Sequence, residues 1–351
     1  MSNEPLRIEQ YETVRYDINC NPLGVPESAT RAILENLDSI ERYPDAFYEP
    51  LKSALASYAD CDISHLVLGS GSSDLLRLFV SLFAPKKALL MIPCAIEYER
   101  VLSAYGCSVD VYELAIHDDY QPDVSDFIAK ITPDYDIVIL GNPNNPTSKL
   151  ICRADIARIA EACKKNDISL IVDEMYIEFT ENYEGNTAVP LTDIYDNLVV
   201  LRSISKFFSV PGLRLAYAIT TNETNLAIIN MTATPNSISC LTAAACTAIL
   251  EDKGYIRESH SRIFTERNLI YSAMSTNKNL RLFKPTANFV LMQILKEDVT
   301  ASDLLAHCRL KGILLRNCED FHGLDEHFVR FSIMNPMQND LMVNTILELL
   351  R

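Results

Sequence analysis

The sequence predicts an α/β protein: a large domain on a mainly parallel seven-stranded sheet covered by helices, plus a smaller α+β domain. Three observations predict it. Short, almost wholly apolar runs alternate with amphipathic stretches up to about residue 219, then the pattern turns helical, and the C-terminal part mixes both kinds. Apolar runs suit strands buried on both faces, and parallel neighbours need helical crossovers.

The elements follow in order. LVL (66–68) precedes SSDLLRLFVSLF, ALLMI (88–92) precedes IEYERVLSAYG, SVDVYEL (108–114) precedes DVSDFIAKI, and DIVIL (136–140) precedes ADIARIAEACKKN. ISLIV (168–172), NLVVL (197–201) and LAYAI (215–219) complete the seven strands. NETNLAIINM, SISCLTAAACTAILEDKG and YIRESHSRIFTERNLIYSAM read as helices, the last joining the two domains. Beyond it, NFVLMQI, GILLR and HFVRFSI read as strands, and ASDLLAHCRLK and PMQNDLMVNTILELL as helices. The expected division is 1–40 for an N-terminal arm and part of the small domain, 41–254 for the large domain and 255–351 for the small C-terminal domain.

Composition bounds the function. With 351 residues, 48% apolar and 22% charged, the chain suits a soluble globular enzyme. A net charge of −16 argues against nucleic acid, whose phosphates demand clustered Lys and Arg. Ten scattered cysteines form no C-x-x-C pair, and the opening MSNEPLRIEQYE has no apolar signal segment, so reduced thiols in the cytoplasm are expected. No apolar run approaches the ~18 residues that span a bilayer, so no membrane partner is expected. No metal is expected either: His322 and His327 lack a ligand spacing and read as surface residues.

In an open parallel sheet, ligands bind beyond the carboxyl ends of the strands. After LVL comes GSGSSD. Its glycines let backbone approach a phosphate, the following helix offers free N–H groups, and Ser72 and Ser73 add hydroxyls. A Gly-Ser turn with a capping serine explains it equally. After DIVIL, GNPNNPTS is either an Asn-Pro turn or a rigid loop aiming Asn145 at a ligand. After ISLIV, Asp173 is either a helix cap or a fixed anion for a ring nitrogen, with Tyr176 on the same side. After NLVVL come Arg202, Ser203, Ser205 and Lys206, and PGLRLAY carries Arg214. Taken singly, Lys206 reads as a snorkelling lysine and Arg214 as a surface ion pair. Taken jointly, the residues make one constellation at the strand ends.

NPNNPT, VDEMYIEF and SISKFFSVPGLRLAY together resemble the pyridoxal-phosphate enzymes of fold type I, the aspartate aminotransferase superfamily, over nearly the whole chain. NPLGVP (21–26), IERYPDAFY (40–48) and GILLRNCEDFHGLDEHFVRFSI (312–333) resemble the branch of histidinol-phosphate aminotransferase and threonine-phosphate decarboxylase, the decarboxylase more closely. The resemblance implies pyridoxal 5′-phosphate as cofactor, bound by the large domain, with Lys206 as its Schiff-base lysine. It implies Asp173 on the pyridinium nitrogen, and Tyr176 and Asn145 on the ring oxygen. It implies Gly71, Ser72, Ser203, Ser205 and Arg214 around the cofactor phosphate, with Tyr43 arriving from the second subunit of a homodimer. Arg330 would hold the substrate carboxylate, with Arg316 and Asn19 near the substrate, an amino acid or amino phosphate.

The sequence departs from that pattern in three places. Ala95 falls where an aromatic ring usually covers the cofactor, leaving Cys94 and Tyr98 as candidates. Thr147-Ser148 replaces Thr-Gly, and the decarboxylase's N-terminal His-Gly-Gly segment has no counterpart. Transamination is favoured over decarboxylation on that last ground. A catalytically silent regulator lacks its fused DNA-binding segment here, and a nicotinamide oxidoreductase rests only on GSGSSD.

Overall fold

In the computed structural model, residues 13–232 and 236–351 are described; the opening segment 1–12 lies outside them. The first strand, β1 (Val14–Arg15), belongs to the C-terminal half of the chain, since it pairs in parallel with β11 (Ile313–Leu314). Seven strands then build the main sheet: β2 (Leu66–Gly69), β3 (Lys87–Ile92), β4 (Ser108–Glu113), β5 (Ile137–Gly141), β6 (Ser169–Asp173), β7 (Leu198–Ser203) and β8 (Ala216–Ile219). Their spatial order is β2-β8-β7-β6-β5-β3-β4, and β8 alone runs against the others.

Helices cover both faces for a reason legible residue by residue. Side chains alternate across a strand. Leu90, Ile139, Ile171, Val199 and Leu201 therefore join one cluster with Leu75, Phe79, Val101 and Leu102, from helices Ser72–Phe83 and Ile96–Ala104. Leu89, Val138, Leu170, Val172 and Val200 join the other with Ile156 and Ile159, from helix Arg153–Lys165. Each fully buried branched side chain contributes roughly 1.5–3 kcal/mol relative to exposure.

A second, four-stranded antiparallel sheet has the order β12 (Arg316–Asn317), β13 (Phe328–Ser332), β10 (Phe289–Ile294), β9 (Leu280–Leu282). GILLR is not one strand but two: the chain leaves β1 after Leu314 and joins β13 at Arg316. A single extended segment thereby serves two sheets. The 22-residue helix Lys253–Met274 links the sequence of the two large sheets, at the place expected.

Candidate active site

The edge of the main sheet collects the carboxyl ends of β2, β3, β5, β6 and β7. Because β8 is reversed, its start reaches the same edge, and this is why Arg214, just before β8, joins residues that follow the other strands.

At the end of β2, Gly71 caps helix Ser72–Phe83 with φ 112°, ψ 162°, a conformation open to glycine and strained for anything else. The helix begins at Ser72 and Ser73, whose end of the helix carries the positive pole. Arg214, itself left-handed at φ 53°, lays its guanidinium over this turn and donates from Nη2 to the carbonyl of Ser70 at 3.4 Å. A Cβ on Gly71 would stand 2.3 Å from that nitrogen, so only glycine lets the arginine approach. Ser203 ends β7; its Oγ accepts from the Ser205 amide at 3.2 Å, and both residues are buried.

Lys206 lies in the single turn Ile204–Phe207 and donates from Nζ to the carbonyl of Ile18 at 2.7 Å. The segment around Ile18 is strapped over that turn. The Asn21 amide donates to the Lys206 carbonyl at 3.0 Å, and Asn21 Nδ2 to the Phe207 carbonyl at 2.7 Å.

Asp173 closes β6. Its Oδ2 accepts from the Tyr98 hydroxyl at 2.9 Å and its Oδ1 from the Met175 amide at 3.0 Å. Burial pushes its carboxyl above the usual range, and these two donors oppose that shift. Tyr98, a turn beyond Ala95, thus has its hydroxyl committed to Asp173, while Cys94 is buried with its thiol pushed up to about 12 by desolvation.

Tyr176 follows, its hydroxyl accepting from Asn19 Nδ2 at 3.4 Å and its ring edge-on to Phe289 at 4.9 Å. Asn19 is fully buried in a left-handed conformation, and its Oδ1 has no partner. Arg330, on β13, is 5% exposed; it donates from Nη1 to Asn145 Oδ1 and from Nη2 to the Asp17 carbonyl at 2.7 Å, leaving Nε unpartnered. Burial lowers the pKa of its guanidinium, yet an arginine remains a cation at any working pH.

Asn19 thus pairs with Tyr176 and Asn145 with Arg330, the two pairs meeting at the Phe289 ring, and Asp173 and Lys206 sit at the ends of neighbouring strands. Arg316 stands opposite Arg330 across β12 and β13, but its Nη2 is bound to both oxygens of Asp320, at 2.9 and 2.7 Å. Tyr43 does not join the cluster; it is 87% exposed.

Residues 12–346 match the family model of class I and II aminotransferases. The chain belongs to that family. Threonine-phosphate decarboxylase of Salmonella typhimurium is 32% identical over 346 residues, covering 98% of this chain and 93% of that protein. The crystal structure of histidinol-phosphate aminotransferase from Clostridium acetobutylicum superposes with a TM-score of 0.89 at 33% identity, over 95% of this chain and 98% of that one. The Sinorhizobium meliloti histidinol-phosphate aminotransferase, solved in complex with pyridoxal-5′-phosphate, shares the fold with a TM-score of 0.84 at 22% identity, over 95% of this chain and 90% of that one. This aminotransferase-family chain is a pyridoxal-phosphate-dependent enzyme.

The residues present fit that cofactor. Gly71 and Arg214 leave a bare, basic turn at a helix start, suited to a phosphate, and Asp173 offers a fixed carboxylate at a strand end.

Three groups escaped the sequence. Arg202 is 1% exposed at its side chain and pairs with Glu174 at 3.4 Å and Glu178 at 2.8 Å, a buried triad whose arginine lies on β7, four residues before Lys206. Ser148, in place of glycine, is left-handed at φ 59°, and its Oγ accepts from the amides of Thr286 at 3.1 Å and Ala287 at 2.9 Å, tying the Asn145 loop to β10. The strap at Ile18 and Asn21 is the third. The one signal available was the charge pattern of Arg202, Glu174 and Glu178 next to apolar runs.

Among the described residues, no helix is long and apolar enough to cross a membrane, and all ten cysteines are free thiols.

Proposed function

We propose that this enzyme is an aminotransferase acting on an amino acid, with Lys206, Asp173 and Tyr176 at the reacting centre. The observation that carries the reading is Arg330: buried, clamped on two sides, with Nε–H free for one more acceptor. When bound, pyridoxal phosphate supplies the electron sink for charge left when a bond at the substrate Cα breaks. The chain's residues decide which bond. Arg330 would hold the substrate carboxylate by a charge-assisted hydrogen bond from Nε–H, so the carboxylate is kept and the Cα proton is the group that leaves. Lys206 takes that proton and returns it. Asp173 would keep the ring nitrogen protonated, and Asn145 and Tyr176 would hydrogen-bond the ring oxygen. Gly71, Ser72, Ser73, Ser203, Ser205 and Arg214 would hold the cofactor phosphate.

Division into 1–40, 41–254 and 255–351 belongs to the same proposal, supported by one sheet lying between residues 66 and 219 and another between 280 and 332. So do a cytoplasmic location, with ten free thiols as support, and a homodimer with shared sites. Leu34, Ile40, Tyr43 and Phe47 are exposed at 63, 66, 87 and 74%, an apolar surface that a second copy would cover while bringing Tyr43 to its partner's phosphate site.

The test mixes purified enzyme with amino acids and their phosphate esters, with and without 2-oxoglutarate, following keto acid and CO₂ together. Acceptor-dependent keto acid is expected, and Lys206→Ala abolishes it. Acceptor-independent CO₂ would refute the transaminase reading and favour decarboxylation, the activity named for the Salmonella relative.

A further inference from the structure

Two anions on one substrate, a carboxylate and a phosphate, call for two available cations. Arg316 and Arg330 face each other across β12 and β13; Arg330 keeps a buried Nε–H without a partner, whereas Arg316 is already paired with a carboxylate. Arg316 is engaged through both of its Nη nitrogens. Its Nη2 meets both oxygens of Asp320, at 2.9 and 2.7 Å; its Nη1 donates to the Asn317 carbonyl; its guanidinium stacks on the Phe321 ring, 5.1 Å from the centroid.

The surroundings point the same way. A crevice of about 330 Å³ between Cys94 and Ile96, where helix Ile96–Ala104 begins, and the loop after Arg316 is lined by Glu99, Glu319, Asp320 and His322, together with apolar groups. Among the described residues that line it, none is lysine or arginine. Its one basic side chain, His322, is bridged from Nδ1 to Glu99 Oε1 at 2.9 Å. A dianion displacing Asp320 would leave that carboxylate beside it, with Glu319 adjacent in sequence, and like charges at such range repel.

We infer that Asp320 is a specificity-determining residue: it closes Arg316 to anions, so the substrate is an amino acid whose only anion is its α-carboxylate, with a neutral or cationic side chain. The inference rests on the carboxylate role proposed above for Arg330. It removes the geometry in which an arginine takes a side-chain phosphate and frees the carboxylate.

The test is calorimetric titration of the holoenzyme with inorganic phosphate, O-phospho-L-threonine and L-threonine, alongside turnover of a panel of neutral, cationic and phosphorylated amino acids. In the holoenzyme the cofactor's own phosphate fills its cradle, so inorganic phosphate reports on a second anion site. The wild type is expected to favour unphosphorylated substrates. Asp320→Asn is expected to tighten inorganic phosphate at least tenfold and to shift the phosphorylated-to-unphosphorylated kcat/KM ratio by a similar factor. Adding Arg316→Gln should remove both gains, which a merely structural salt bridge would not do. A wild type that prefers phosphate esters, or an Asp320→Asn variant whose phosphate affinity changes less than twofold, overturns the inference. If no amino acid were turned over, the reading of Arg330 would fall, while the phosphate titration would still decide Asp320.

Discussion

Gly71→Ala isolates the meeting of the β2 turn with Arg214. The new Cβ would lie 2.3 Å from Arg214 Nη2 and 3.0 Å from its Cζ, well inside contact distance, and φ 112° is forbidden territory for alanine. Backbone strain of this kind costs about 1–3 kcal/mol. If the guanidinium withdraws, one charge-assisted hydrogen bond to the cofactor phosphate is lost, worth roughly 1.5–3 kcal/mol. Together about 2.5–6 kcal/mol is at stake, and part of the strain falls on the empty protein too. Each 1.4 kcal/mol is tenfold, so cofactor affinity should fall by roughly 100- to 1,000-fold. Apoenzyme is reconstituted with pyridoxal phosphate, and the dissociation constant is read from the visible absorbance, with circular dichroism checking the fold. Arg214→Ala provides a second variant without backbone strain, expected to lose about ten- to a hundredfold. Affinities within threefold of wild type for both would refute the placement of the phosphate at this turn.

Two further outcomes follow from neighbouring carboxyl groups. Tyr98→Phe removes the hydroxyl that lowers the Asp173 carboxyl, so the acid limb of the pH profile of kcat/KM should move to higher pH; an unmoved limb separates Tyr98 from the site. Glu174, fully buried, has its carboxyl pushed up to about 7 by desolvation, against an ordinary value of 4.5. A raised acid favours the fold when protonated. Its contribution is therefore complete below about pH 4.5 and lost as pH rises through about 7, at most about 3 kcal/mol by linkage. Urea unfolding of wild type and Glu174→Gln between pH 5 and 8 checks this: the variant should show the shallower decline in stability with pH.

The sequence by itself determined the seven strands of the main sheet, the long linking helix and the identity of the strand-end residues. Periodicity and burial are local signals: LIV and LVVL have no stable place except between two helical layers, and GSGSSD, NPNNPT and SISK are short enough to be read whole. What the tertiary structure decided is who meets whom. Arg214 joins the other strand-end residues because β8 alone is reversed, and no local signal carries strand direction. Arg202 finds Glu174 and Glu178 across 28 and 24 residues, and Ser148 reaches the amides before β10 across 138 and 139. Asp320 could be read as any exposed carboxylate until its two oxygens were found on Arg316. Such pairings are set by which groups the packed layers bring within a few ångströms, because hydrogen bonds and ion pairs act only at that range.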